Sequence, residues 1–288
     1  MMRTPAGAMP EDDAMPPTHS AFAVRECRGG MSTAMTDDIA EEVPVALEYN
    51  GISHAVMLAT PADLDDFALG FSLCEGIVDT PAQVYETETE AGPAGITVRL
   101  RIAAEAFAAL KARRRTLAGR TGCGLCGTES LAQVLRPIPP LPLPNPHGRF
   151  DAATLHRAFA QLQARQTLQW RTGATHAAAW LDAAGTLGAI REDVGRHNAL
   201  DKLVGALARA GTRTAGGAVL VTSRASYEMV LKTASAGIGL LAAVSGPTAL
   251  AVRVAEQAGL TLAGFVRPGR HVVYTHPQRL IAATAHAA

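Results

Sequence analysis

The last hundred residues alternate short apolar runs with amphipathic ones, and this alternation limits the fold more than any other feature. "GAVLVTS", "LLAAVS" and "TLAGFV" have the near-continuous hydrophobicity of strands covered on both faces. Between them lie "SYEMVLKTASAGIG" and "PTALAVRVAEQAGL", which read as helices. The preceding "HNALDKLVGALARAG" places Leu200, Leu203, Val204 and Leu207 on one helical face and stops at Gly211. Strands separated by helices need crossover connections, and these produce a parallel sheet with helices over its faces. Residues 150–288 are therefore predicted to form an α/β domain.

The chain upstream has a different rhythm. "VPVALEYNGISHAVMLAT" is two alternating runs about Asn50-Gly51, a hairpin signal. "PADLDDFALGFSLCEGIV" reads as a helix with Phe67, Phe71, Cys74 and Val78 on one face and Leu64 a turn earlier, so Cys74 is expected to be a small core hydrophobe. "ITVRLRI" reads as a strand and "AEAFAALKARRR" as a helix, giving a small α+β unit over 43–120. The proline-rich "RPIPPLPLPNPHG" lacks donors and reads as a connector, so 121–149 is a loop and linker. "DAATLHRAFAQLQARQ" then reads as a helix capped by Asp151, and "THAAAWLDAAGTLGAIRED" as a hairpin turning near Gly185. Residues 1–42 show no periodicity and are predicted to be disordered, with Cys27 in that tail.

Lysine plus arginine and aspartate plus glutamate balance at 26 each, so no net field draws the chain to nucleic acid or to a membrane surface. The longest apolar run, "AGIGLLAAVSG", is too short to span a bilayer. Four unevenly spaced cysteines make no disulfide framework, and a cytoplasmic location is expected.

In open α/β sheets, ligands bind beyond the carboxyl ends of the strands. Here those ends run into Thr222-Ser223-Arg224, Ser245-Gly246-Pro247-Thr248 and Arg267-Pro268-Gly269-Arg270. Small hydroxyls, glycines and arginines at helix starts suit a phosphate or pyrophosphate. "REDVGRHNALDKL" gathers charges around a helix start. Arg196 and His197 are candidate ligand contacts there, with a solvated helix start as the alternative. His176 in "THAAAW" reads as a core residue rather than a catalyst.

"TGCGLCG" sets Cys123 and Cys126 two residues apart among glycines, after the cationic "KARRRTLAGR". Four chemistries are open to such a pair. Zinc binding lacks a second ligand pair. A thioredoxin-like redox pair lacks the usual strand-to-helix setting. Inert thiols leave the glycines and cations unexplained. The fourth is a nucleophilic, sulfur-carrying cysteine, whose thiolate the neighbouring cations would favour and whose sulfur a second thiol could release.

The motifs "CGLCG", "THAAAW", "EDVGRHNALDKL", "TSRASYEMV" and "FVRPGR…VYTHPQRL" occur in order between Val43 and Leu280 and resemble the FdhD family. The resemblance implies a sulfur carrier loaded by an IscS-type cysteine desulfurase. The sulfur would pass to the molybdenum or tungsten bis-molybdopterin guanine dinucleotide cofactor of formate dehydrogenase, with GDP as a mimic of the nucleotide. It further implies Cys123 as the persulfide carrier with Cys126 as partner, and Phe265, Val266, Arg267, Pro268, Gly269 and Arg270 as the cofactor-binding stretch. Ser223 and Arg224, with Arg196 and His197, join that site on the residue reading above. The C-terminal part is expected to resemble the cytidine deaminase fold without its zinc signature, and the protein to be a homodimer with no dedicated metal. A cofactor-binding chaperone that handles no sulfur is the alternative. "RTGCGLCG" departs from the family by having Arg120-Thr121-Gly122 where serines are expected, which leaves the division of labour between the two thiols open.

Overall fold

The computed structural model describes residues 14–115, 141 and 149–281. Cys123, Cys126 and most of the proline-rich connector lie outside the described residues.

Residues 19–40 correct the expectation of a disordered tail. Strands β1 (His19–Arg28) and β2 (Met31–Ala40) form an antiparallel hairpin closed by the Arg28 and Met31 pair. Its turn is Gly29-Gly30, with φ of 58° and 82°, which is the two-glycine solution to a tight hairpin. That signal was present, but Ala, Ser and Met between the larger residues masked the alternation.

The small unit is a four-stranded sheet in the order β4-β3-β6-β5. Strands β3 (Val43–Tyr49) and β4 (Ile52–Ala59) pair antiparallel about Asn50-Gly51, as the sequence predicts, and β6 (Gly95–Ile102) lies parallel to β3. The edge strand β5 (Val84–Gly92) carries "ETETE" and almost no buried side chain, so no hydrophobic alternation announces it. Helix α1 (Leu64–Cys74) covers this sheet with Leu64, Phe67 and Phe71, while α2 (Ala104–Arg115) packs Ala106 and Leu110 into the same core.

The second unit holds a six-stranded sheet in the order β13-β12-β11-β10-β8-β9. A two-residue strand, β7 (Phe150–Asp151), precedes α3 (Ala152–Arg165), which Asp151 caps by accepting from the Thr154 amide. A short helix α4 (Thr167–Thr172) leads to the hairpin of β8 (His176–Leu181) and β9 (Leu187–Asp193). Then follow α5 (Arg196–Arg209), β10 (Ala218–Val221), α6 (Tyr227–Ser235), β11 (Leu240–Ala243), α7 (Ala249–Ala258), β12 (Thr261–Arg267) and β13 (Arg270–Thr275). A short β14 (Leu280–Ile281) closes on β7. The three strands expected to be parallel neighbours are so: β10 pairs with β11 and β11 with β12. Val219 and Val221 face a core shared with α5, α6 and α7, whereas Ala218 and Leu220 face a second core built on α3. The sheet is therefore the middle of three layers.

The two units are joined through backbone. Where α1 crosses α5, a Cβ on Gly70 would lie 1.7 Å from the Asp201 carbonyl oxygen, and one on Gly205 would lie 1.9 Å from that of Asp66. Only hydrogen fits at either point. Around this crossing Asp66 accepts from Arg191 at 2.6 Å and Arg209 at 3.0 Å, and Lys232 lies 2.9 Å from Asp201 and 3.1 Å from Glu75. Cys74 is buried in the core beside these groups, as expected, and burial pushes its thiol well above the usual range.

Gly205→Ala is expected to cost about 3 kcal/mol through overpacking and to lower the melting midpoint by roughly 6–12 °C. Circular dichroism melts check this. A midpoint within about 2 °C of wild type would show that the helices can part without loss.

Candidate functional site

The parallel pairing continues past the strand ends and brings the three loops together. The Val244 amide donates to the Val221 carbonyl at 3.0 Å, the Ser245 amide faces the Ser223 carbonyl at 3.5 Å, and the Phe265 amide donates to Ser245 at 3.3 Å. The Thr248 amide reaches the Ala225 carbonyl at 3.0 Å, so the Pro247 loop is also fixed. Ser223, Ser245 and Phe265 thus sit side by side at the carboxyl edge of the sheet. Two helices begin there: Ser226 stands at the start of α6, and Thr248 caps α7 by accepting from the Ala251 amide.

Phe265 is held at φ 52°, in the left-handed region that a residue with a bulky side chain rarely occupies. A bulge in the β12–β13 pairing between Gly264 and Arg267 imposes this geometry. The result is a ring 43% exposed that lies over Gly246, where a Cβ would come within 2.7 Å of it. Backbone strain of this kind clusters at functional positions.

The candidate residues in this stretch fall into distinct roles. Val266 is buried and faces the α3 core, so it anchors the strand. Arg267 donates to the carbonyl oxygens of Val244 at 2.6 Å and Val266 at 2.8 Å, which ties the end of β11 to β12. Pro268 and Gly269, with φ 73° at Gly269, turn the chain so that Arg270 stands opposite Arg267. Arg270 is exposed. Ser223 is buried and donates to the Arg224 carbonyl at 3.0 Å, while the Arg224 side chain is exposed.

"REDVGRHNALDKL" divides in two. Asp193 is fully buried and its oxygens are fully used. Oδ1 accepts from the Gly195 amide at 2.7 Å and Asn198 Nδ2 at 3.0 Å, and Oδ2 accepts from the Thr60 amide at 3.0 Å and lies 2.7 Å from Lys202 Nζ. Lys202 also donates to the Thr60 carbonyl at 2.9 Å, and Asn198 to the Leu58 carbonyl at 2.8 Å. These residues lock the end of β4 to the start of α5. Arg196 and His197 remain at the sheet edge, where His197 Nε2 lies 2.7 Å from Glu228 Oε2 on α6. Burial works to raise the Glu228 carboxyl, but the contact with His197 and the charges of His197, Lys232 and Arg196 outweigh it and hold it low.

His176, read from the sequence as a core residue, is half-buried at the same edge and opposite Asp193 in the β8–β9 register. Burial, then the Arg196 guanidinium, pull its imidazole below the usual value. Glu228, Ser226 and His176 are the edge residues that sequence reasoning missed. The antiparallel pairing of β8 with β9 and β10 brings His176 to this edge and the contact between α5 and α6 brings Glu228 to His197, neither of which can be read from spacing. Arg196 Nε and Ser226 Oγ are buried there without a hydrogen-bond partner among the described residues.

The fold and this edge define an α/β protein whose strand ends carry a cluster of arginines and hydroxyls. The FdhD/NarQ family model matches residues 40–281, and the chain belongs to that family. It is 67% identical to the sulfur carrier protein FdhD of Cupriavidus necator over 93% of this chain and 92% of that protein. It is 55% identical to the sulfur carrier protein FdhD of Bordetella bronchiseptica over 92% and 96%. A crystal structure of a candidate formate dehydrogenase accessory protein from Desulfotalea psychrophila shares the fold, with a TM-score of 0.71 at 23% identity over 92% of this chain and all of that one.

Phe265→Gly is expected to relieve about 1 kcal/mol of left-handed strain and to leave the melting midpoint equal to wild type or higher. A fall of more than about 5 °C would make the ring a structural element instead of a poised surface.

Proposed function

We propose that this protein carries sulfur for formate dehydrogenase, taking it from a cysteine desulfurase of the IscS type and passing it to a guanine dinucleotide molybdopterin cofactor held at the strand edge. The supporting observation is the edge itself. It sets the exposed Arg224 and Arg270 around a strained aromatic ring over a glycine, in a chain whose 67% identical relative is named a sulfur carrier. The donor set suits a phosphorylated, planar ligand. Arginine forks, helix starts and hydroxyls match phosphate oxygens, and the Phe265 ring offers a stacking face. The cofactor is the substrate of the transfer, and its metal receives the sulfur.

The chemistry proposed for the thiols conserves atoms and electrons. The Cys123 thiolate attacks the terminal sulfur of the desulfurase persulfide, and the desulfurase thiolate leaves. The Cys126 thiolate then attacks Cys123 and closes a disulfide. The two electrons it contributes leave with the terminal sulfur as hydrosulfide, delivered to the acceptor. Reduction of that disulfide by a cellular dithiol resets the pair. The described chain flanking these cysteines is anchored at the opposite, amino edge of the sheet. Arg113 donates to the Gly76 carbonyl at 2.6 Å, and the Leu141 amide donates to the Ala258 carbonyl at 2.8 Å. Cys123 follows Arg113 by ten residues, which sets its reach from that anchor at no more than about 35 Å.

Mass spectrometry of the intact protein after incubation with a desulfurase and cysteine tests this. A gain of one sulfur atom is expected on wild type, removable by reductant and absent from Cys123→Ala. Unchanged loading of Cys123→Ala with loss in Cys126→Ala would reverse the two roles, and no loading of wild type would leave the chaperone reading. Arg270→Ala is expected to weaken GDP binding about tenfold, the loss of one charge-assisted contact, with loading unaffected. Equal affinity in calorimetry would remove Arg270 from the site.

A further inference from the structure

We propose that His176 is the proton acceptor of the strand-edge site, so that a phosphorylated ligand binding there takes up a proton onto this imidazole. The inference rests on reading the edge as a diphosphate site, and it adds a residue and a pH response to that reading.

The geometry isolates His176 among cations. It opens β8, is half-buried, stands opposite Asp193 of β9, and lies within electrostatic range of Arg196 and His197 in the first turn of α5. The Asp193 carboxylate favours the charged imidazole but is outweighed by burial and Arg196, its own oxygens being taken up by Lys202 at 2.7 Å and three further donors. Glu228, the remaining carboxylate in the cluster, lies 2.7 Å from His197. Arg196 and the exposed Arg224 outnumber Glu228 at this edge, and Arg196 Nε and Ser226 Oγ have no hydrogen-bond partner among the described residues. The β10 end lies alongside: the Ala177 amide donates to Thr222 Oγ1 at 2.9 Å, and the Thr222 amide donates to the Ala177 carbonyl at 3.0 Å. A phosphate seated at Thr222-Ser223-Arg224 is thus a close neighbour of the first residues of β8.

The direction of the response follows from the charges. Without a ligand, burial and the Arg196 guanidinium favour the neutral imidazole. A phosphate dianion offsets Arg196 and accepts a hydrogen bond from the protonated ring, so it favours the charged form. The ligand-bound imidazole then titrates higher than the free one. Affinity is greatest at pH values below the free value, falls as pH rises through the window between the two, and levels above the bound value.

Titration calorimetry of the full chain with GDP, at pH 7 in two buffers of different ionisation enthalpy and again at pH 6 and pH 8.5, tests the inference. Wild type and His176→Gln are compared so that the nucleotide's own titration cancels. Expected is proton uptake in wild type that is lost in His176→Gln, with the variant binding about tenfold more weakly at pH 6 and equally at pH 8.5. Equal uptake by both proteins would overturn the role of His176 while leaving the site standing. Failure of wild type to bind GDP at any pH would overturn the site reading itself. Proton NMR of the wild-type imidazoles gives an answer that needs no substitution. One imidazole resonance should shift its midpoint upward on adding GDP and be missing from His176→Gln; no upward shift contradicts the inference.

Discussion

The buried contact between Asp193 and Lys202 is the constraint on which the rest of the arrangement depends. A carboxylate and an ammonium with no solvent exposure are tolerated only when every remaining donor and acceptor is satisfied. Here the satisfying groups come from both units: the Thr60 amide and carbonyl from the end of β4, and the Gly195 amide and Asn198 from the start of α5. The pair thereby fixes two things at once. It holds the small sheet against the large one, and it sets the first turn of α5, with Arg196 and His197, at the carboxyl edge. The glycine contact between α1 and α5 allows this by bringing the two helix backbones close enough for Thr60 to reach the pair.

The edge that results is assembled from backbone more than from side chains. Hydrogen bonds running beyond the strand ends stack Ser223, Ser245 and Phe265, and Arg267 spends its guanidinium on the carbonyl end of β11. Arg224 and Arg270 are left to face outward, and the Phe265 ring is held in a conformation that only its surroundings enforce. A site with a fixed frame and few outward charges loses little conformational freedom when a charged, planar ligand docks. That property is what a carrier presenting sulfur to a large cofactor requires under the proposed function.

Much of the fold was legible because hydrophobic periodicity and turn chemistry agree. The Asn50-Gly51 hairpin, the Asp151 cap, the Gly185 turn and the alternating strands and helices from 196 to 267 all lie where the sequence puts them. Three features escaped. The β1–β2 hairpin buries too little for alternation to show, and β5 is an edge strand of alternating Thr and Glu. The joining of the units depends on residue pairs more than a hundred positions apart, such as Thr60 with Asp193. The candidate site was half legible for the same reason. The strand-end loops could be found from the parallel order. His176 and Glu228 could not, because the antiparallel turn of β8 and β9 brings His176 to the edge and the contact between α5 and α6 brings Glu228 to His197.

A crystal structure of this protein grown with GDP tests the central claim most directly. The diphosphate should lie against Thr222–Arg224 and the Arg270 turn, with the base stacked on Phe265 and His176 within hydrogen-bond reach of a phosphate oxygen. GDP found instead in the open cavity at the amino edge, about 560 Å³ and lined by Leu73, Cys74, Val204 and Leu231, would contradict the account. So would an empty strand edge at saturating nucleotide.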